Sequence, residues 1–291
     1  PEVAIPGANA AIQSRQRRAV AWLSAATVLL AALSIWDWFR PTETAERRPA
    51  LHFPLSVGKA PLATNRWGAA TALSRDGSKV AYRTERGWQL LDLAAGASRT
   101  ITEEYQGNHA VFSPRGDTLL IRQGGWAGQL VAISVSTGAA TPLRSDVTGG
   151  EMHWAEDGWI YYGRQFGIAR IRERDKLVED LLVPDLTRDN WLACNPVPLP
   201  GGRSVIFTRR YRPFSDHSRD EVCLLDLGTK AVRPLVKGQQ AWYLPDGYLL
   251  WARAGGTVFA ARFDASAAIA AEEPSKVLDG VHMLGTMYGA T

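Results

Sequence analysis

A turn that recurs every forty-odd residues constrains this chain more than any other feature. Five segments join a short apolar strand to a second one through a Pro/Asp/Gly turn: ALSRDGSKVAY (72–82), VFSPRGDTLLI (111–121), HWAEDGWIYY (153–162), PLPGGRSVIF (198–207) and YLPDGYLLW (243–251). Their turn glycines, Gly77, Gly116, Gly158, Gly202 and Gly247, are separated by 39, 42, 44 and 45 residues. A third strand follows in WQLLDL (88–93), QLVAISV (129–135), EVCLLDL (221–227) and TVFAARFD (257–264), and a short fourth in RTIT (99–102), ATPL (140–143) and RPLV (233–236). Four strands at this period make a β-propeller blade, whose alternating side chains bury both faces against neighbouring blades. Asp-Gly and Gly-Gly pairs supply the positive φ of tight hairpin turns. Asp76, Asp157 and Asp246 therefore read as turn formers, not as catalytic or metal-binding carboxylates.

The other strong signal precedes the repeats. Ala19 to Trp36 is uncharged for 18 residues, follows Arg15, Arg17 and Arg18, and is flanked by Trp22, Trp36, Trp38 and Phe39. As a helix it would span about 27 Å, close to the hydrocarbon thickness of a bilayer. The arginines place its N-terminal side in the cytoplasm, and the aromatic rings suit the interfaces. A cleaved signal peptide is the competing reading, but no small-x-small site closes the run. The expected layout is a cytoplasmic juxtamembrane segment at 1–18, a helix at 19–39 in contact with membrane lipid, a linker at 40–50 and an extracytoplasmic propeller over 51–291. Localisation in the cytoplasmic (inner) membrane follows. The net charge of +4 does not argue for nucleic acid, because half of it lies in residues 1–40.

The expected fold class is therefore all-β: a β-propeller preceded by one transmembrane α-helix. Blades are expected near 66–102, 107–143, 149–184, 193–236 and 239–278, with a partial strand at 281–291. LHFPLSV (51–57) is placed as an outer strand closing the ring. This gives six blades with the last truncated, seven being the alternative, and the chain reads as part of a longer protein. GIARIRERDKLVED (167–180) lacks the L-D-L strand, which leaves the third strand of blade 3 and its register open. Cys194 and Cys223 fall on the first and third strands of one blade, about 9–10 Å apart, too far for an unstrained disulfide. They are expected to be free, packed thiols.

S-x-D-G before an apolar strand, followed by L-D-L, resembles the TolB-type (WD-repeat-like) propeller. PLPGGRSVIFT, VCLLDLGTKAVRPLVKG and AWYLPDGYLLWARAGGTVFAARFD resemble the extracytoplasmic propeller of bacterial transmembrane serine/threonine protein kinases. Over residues 15–291 that resemblance implies a sensor or interaction module, with a kinase domain upstream that would use ATP and Mg. A membrane-tethered DNA-binding regulator and a TolB-like protein-interaction scaffold are the alternatives. The expected partners are an extracytoplasmic ligand or protein, with a dimer compatible and no nucleic acid for these residues.

No chemistry of catalysis is legible in the chain. It has no H-R-D loop, D-F-G or G-x-S-x-G, and His52, His109, His153, His217 and His282 show no metal-ligand spacing. Asp216, Asp220 and Glu221 around His217 read as a solvated loop. Trp88, Trp126, Trp159, Trp191, Trp242 and Trp251 read as inter-blade packing rather than sugar stacking. The sharper expectation comes from aligning the units. Inner strands line a propeller's channel, and the residues seven before each turn glycine are Ala70, His109, Glu151, Asn195 and Gln240. With Asn108 and Gln239 beside them, the polar members form a candidate ligand-binding ring at one channel mouth.

Overall fold

In the computed structural model the described residues are 71–107, 109–124, 128–148, 151–265, 269–270 and 274–281. They form five antiparallel sheets, each a blade in chain order. Blade 1 comprises Thr71–Leu73, Lys79–Thr84, Gly87–Asp92 and Ala97–Thr102, and blade 2 His109–Phe112, Thr118–Gly124, Gly128–Ser134 and Ala140–Val147. Blade 3 comprises His153–Trp154, Trp159–Arg164, Gly167–Arg172 and Val178–Leu182, and blade 4 Trp191–Pro198, Ser204–Tyr211, Glu221–Asp226 and Val232–Lys237. Blade 5 begins with Gln240–Leu244, Tyr248–Ala252 and Val258–Asp264; its third strand pairs with both Ile269–Ala270 and Ser275–Leu278. The register of blade 3 is settled: Gly167–Arg172 pairs with Trp159–Arg164 on one side and, through a bulge at Ile168/Ala169, with Val178–Leu182 on the other.

The count of six blades is corrected: the described residues hold five. A blade takes about forty residues, and the partial strand from which a sixth was inferred is far shorter than that. Apart from Val281, that segment, the closing strand at 51–57 and the expected membrane helix at 19–39 lie outside the described residues. Among the described residues no helix is long and apolar enough to cross a membrane.

Strand alternation builds the core. In blade 2, Leu119 and Ile121 pack toward blade 1 with Trp88 and Leu90, while Leu120 between them packs toward blade 3 with Ile160 and Tyr162. Val205 and Phe207 of blade 4 meet Tyr161 and Ile168 of blade 3, and Ile206 meets Leu249 and Trp251 of blade 5. Each such fully buried side chain contributes about 1.5–3 kcal/mol. The turn glycines adopt positive φ throughout, at 70°, 68°, 80°, 64° and 81° for Gly77, Gly116, Gly158, Gly202 and Gly247. Asp76 accepts hydrogen bonds from the Ser74 and Ser78 hydroxyls and from Ser78 N–H, and Asp157 accepts from Trp159 N–H. Both do the work of a turn.

The cysteines sit on the first and third strands of blade 4 as free, buried thiols. The tryptophans divide. Trp88 and Trp251 lie in the inter-blade core, and Trp159 and Trp191 are partly buried beside it. Trp242 is 37% exposed, so packing does not account for it; Trp126 is outside the described residues.

Candidate functional site

The inner strands lie side by side around the axis, blade 1 next to 2, 2 next to 3, 3 next to 4 and 4 next to 5. Their starts therefore meet at one mouth of the channel. The ladders fix the height: His109 faces Arg122, Cys194 faces Thr208 and Gln240 faces Ala252, each the fifth residue of its second strand. In blade 3, His153 faces Tyr161, which brings Glu151 level with the same position.

Blade 4 departs from this regularity. A bulge between Cys194 and Val197 inserts extra chain, and Asn195 takes a left-handed φ of 54°. Asparagine tolerates this region better than most residues. The ladder thus assigns Cys194 to the inward position, and the bulge presents Asn195 to the neighbouring blades instead.

Three residues then close a cycle. Glu151 N–H donates to Asn195 Oδ1 at 3.2 Å, Asn195 Nδ2 to Gln240 Oε1 at 2.5 Å, and Gln240 Nε2 to Glu151 Oε2 at 2.6 Å. The partners belong to blades 3, 4 and 5 and stand 44 to 89 residues apart in sequence. Gln239 joins through its main-chain carbonyl, which accepts from Asn195 Nδ2 at 3.4 Å and from Thr208 Oγ1 at 3.0 Å. Burial pushes the Glu151 carboxyl above its usual range, and the Gln240 hydrogen bond partly opposes this. Burial likewise raises the Cys194 thiol to about 11, far from a reactive thiolate. Among the described residues Glu151 Oε1 accepts no hydrogen bond, so a carboxyl oxygen and an amide N–H of Gln240 remain to meet a ligand that both donates and accepts.

Behind the cycle lies a second layer. The loop between the second and third strands of blade 4 folds back so that Asp220, fully buried, accepts from Arg210 Nε at 3.1 Å; the Arg210 side chain is only 2% exposed. His217 Nδ1 lies 3.0 Å from the same carboxylate oxygen, and Tyr211 N–H donates to the other at 3.3 Å. Asp216 caps the short 3-10 turn His217–Arg219 by accepting from Ser218 N–H. The expectation of a solvated loop is thus corrected at Asp220, which is the buried anchor of the loop.

Of the expected ring, the structure brings Glu151, Asn195, Gln239 and Gln240 together. His109 lies on the inner strand of blade 2, one blade away from Glu151. Asn108 and Ala70 are outside the described residues. Thr208 and Arg210 were not singled out from the sequence, and Asp220 was read as part of a solvated loop. The Arg-Arg pair ending the second strand of blade 4 and the aspartate opening its third were the available signal.

No protein-family model matches the chain, and no curated protein matches it. Solved structures do. TolB from Acinetobacter baumannii is 19% identical with a TM-score of 0.53, over 71% of this chain and 52% of TolB. The chain thus spans about half the length of that protein. The β-propeller domain of Cps50 (Swd1) from Myceliophteria thermophila is 12% identical with a TM-score of 0.52, covering 75% of this chain and 73% of its own. Kuenenia stuttgartiensis hydrazine synthase is 11% identical with a TM-score of 0.54, covering 78% and 69%. At such identities the likeness is one of fold: a TolB-like, WD-repeat-like β-propeller.

Proposed function

We propose that this propeller is an interaction module, the extracytoplasmic sensor of a membrane-anchored signalling protein whose upstream part is a serine/threonine kinase domain. The observation that carries the interaction role is the Glu151–Asn195–Gln240 cycle. It draws one polar residue from each of three blades to the channel mouth, and it spends only part of their hydrogen-bonding capacity. Convergent polar groups at a concave mouth suit a small ligand or the end of a peptide. A ligand there signals only if it binds two arrangements of the protein with different affinity. The kinase context rests on the sequence resemblance and on the basic, then apolar, segment before the repeats.

Two experiments test this reading. Binding of peptidoglycan fragments and short peptides is compared between the wild-type chain and the His109→Ala/Glu151→Ala double variant. Loss of binding in the variant is expected, and unchanged binding removes the channel mouth as the site. Sequencing the coding region upstream tests the context: a strand lysine and an H-R-D loop support the kinase, and a winged helix-turn-helix replaces it with a transcription regulator.

A further inference from the structure

A second concavity lies at the opposite end of the strands from the channel mouth, and it is cationic. It encloses about 510 Å³ between blades 1 and 2, within the range of small-molecule sites; Lys79, Leu90, Ser98 and Arg99 line it from blade 1 and Arg115 and Val135 from blade 2. Two carboxylates, Asp92 and Asp117, also border it; Asp117 has both oxygens engaged locally, and Asp92 has one. Asp92 Oδ1 accepts from the N–H groups of Ala94 and Ala95 at 3.0 and 2.9 Å. Asp117 Oδ1 accepts from the Ser113 and Thr118 hydroxyls, and its Oδ2 pairs with Arg115 Nε at 2.9 Å.

The cations are engaged less fully. Arg99 uses Nη2 on the Val135 carbonyl, which anchors the guanidinium across the blade boundary and leaves its other N–H groups for the cleft. The Lys79 ammonium stands over the turn of blade 2, 3.8 Å from where a side chain at Gly116 would begin. It is close enough to Asp76 to help hold that carboxyl down, yet Asp76 already accepts from Ser74 and Ser78. Among the described residues the ammonium itself donates no hydrogen bond. Beneath both cations the floor is apolar, with Leu90 buried and Val135 in the core between the two blades. The Ser98 hydroxyl accepts from Tyr82 Oη at 3.1 Å, so its own proton remains available to donate.

We propose that this cleft binds a small molecule carrying one oxyanion on an apolar body. Lys79 and Arg99 hold the oxyanion, and the body rests on Leu90 and Val135. The site is separate from the channel mouth and stands or falls without it. Phosphate and carboxylate share this chemistry, and two probes distinguish them: phenyl phosphate and benzoate, each titrated calorimetrically into the full chain at low salt. Saturable binding of at least one probe with Kd below about 1 mM is expected. Tighter binding of phenyl phosphate assigns the doubly charged class, and the reverse assigns carboxylates. Each cation lost removes a charge-assisted hydrogen bond, so Lys79→Gln/Arg99→Gln is expected to weaken binding about tenfold or more, whereas Glu151→Gln leaves it unchanged. If the double variant does not fold, amide shifts on titrating the wild-type chain decide: shifts confined to the neighbourhoods of 79, 98–99 and 115–117 support the site. No binding of either probe at 10 mM, equal binding by a folded double variant, or shifts elsewhere would overturn it.

Discussion

The two ends of the inner strands are organised in opposite ways. At the turn end, the turn aspartates are satisfied within a few residues: Asp157 by Trp159 N–H, and Asp76 by Ser74 and Ser78. At the mouth they are satisfied across blades, by partners up to 89 residues away in sequence. The difference follows from the geometry of the repeat. A two-strand turn completes its own hydrogen bonds wherever it lies, so it can be copied from blade to blade. The mouth is made only when separate blades dock, and each blade contributes something different. Turns thus carry the architecture, and the mouth carries what individualises the molecule.

If so, disrupting the two ends must have unequal consequences. The largest is expected at Asp220. Removing one partner of a buried ion pair costs about 3–5 kcal/mol. Asp220→Ala is expected to lose that much in urea denaturation, because Arg210 is only 2% exposed beneath it. Asp220→Asn, which keeps the shape but not the charge, should retain most of the loss. Asp157→Ala at the turn end should cost below about 1 kcal/mol, the value of one solvent-accessible hydrogen bond. Comparable losses at the two aspartates would break the distinction.

Asn195 sharpens it, since there backbone and side chain act together. Asn195→Ala removes the acceptor for Glu151 N–H and the donor to Gln240, and it puts a Cβ without local hydrogen-bonding capacity at φ 54°. Together these should cost about 2–3 kcal/mol. Asn195→Gly forfeits the same hydrogen bonds but accepts the backbone, so it is expected to recover about 1 kcal/mol of the loss. Equal losses in thermal or urea unfolding would mean that the left-handed conformation costs nothing.

The same contrast explains what the sequence made legible. The turns could be read directly, because S-x-D-G and its variants specify a conformation within five residues; all five glycines have the φ expected of them. Glu151, Asn195, Gln239 and Gln240 could be found only by comparing units, since nothing near any of them marks it as polar for a purpose. Even then, the fixed offset from the turn reaches Asn195, which contacts Glu151 and Gln240 for a reason invisible in sequence. The bulge at Cys194/Val197 shifts the ladder, and the shift is what presents Asn195 to blades 3 and 5. Asp220 was misread because local composition, DHSRDE, is that of a solvated loop. Its burial depends on Arg210, a residue on the preceding strand. The number of blades was overcounted because a strand-like segment at 281–291 was taken for the start of a further, truncated blade, whereas the described residues hold five.

Blade 3 offers the finest test, because titratable groups of opposite behaviour stand two residues apart at the start of its inner strand. Burial raises the Glu151 carboxyl, so the folded chain holds a proton that the unfolded chain has released. This contribution to stability is present below the ordinary carboxyl value of 4.5 and is lost as pH rises through the folded value. His153, nearer the turn, is pushed down from 6.5 to about 4, first by burial and then by the charge of Arg75. There the unfolded chain binds the extra proton, so its contribution is full above 6.5 and is lost as pH falls toward about 4. Each slope is limited to about 1.4 kcal/mol per pH unit. Urea midpoints measured from pH 4 to pH 8 should therefore flatten on the acidic side in His153→Gln, and lose their decline with rising pH in Glu151→Gln. Should Glu151→Gln instead steepen that decline, the carboxyl would have to be ionised in the folded chain. The mouth would then present a full negative charge to its ligand, and cationic ligands would become the first to test.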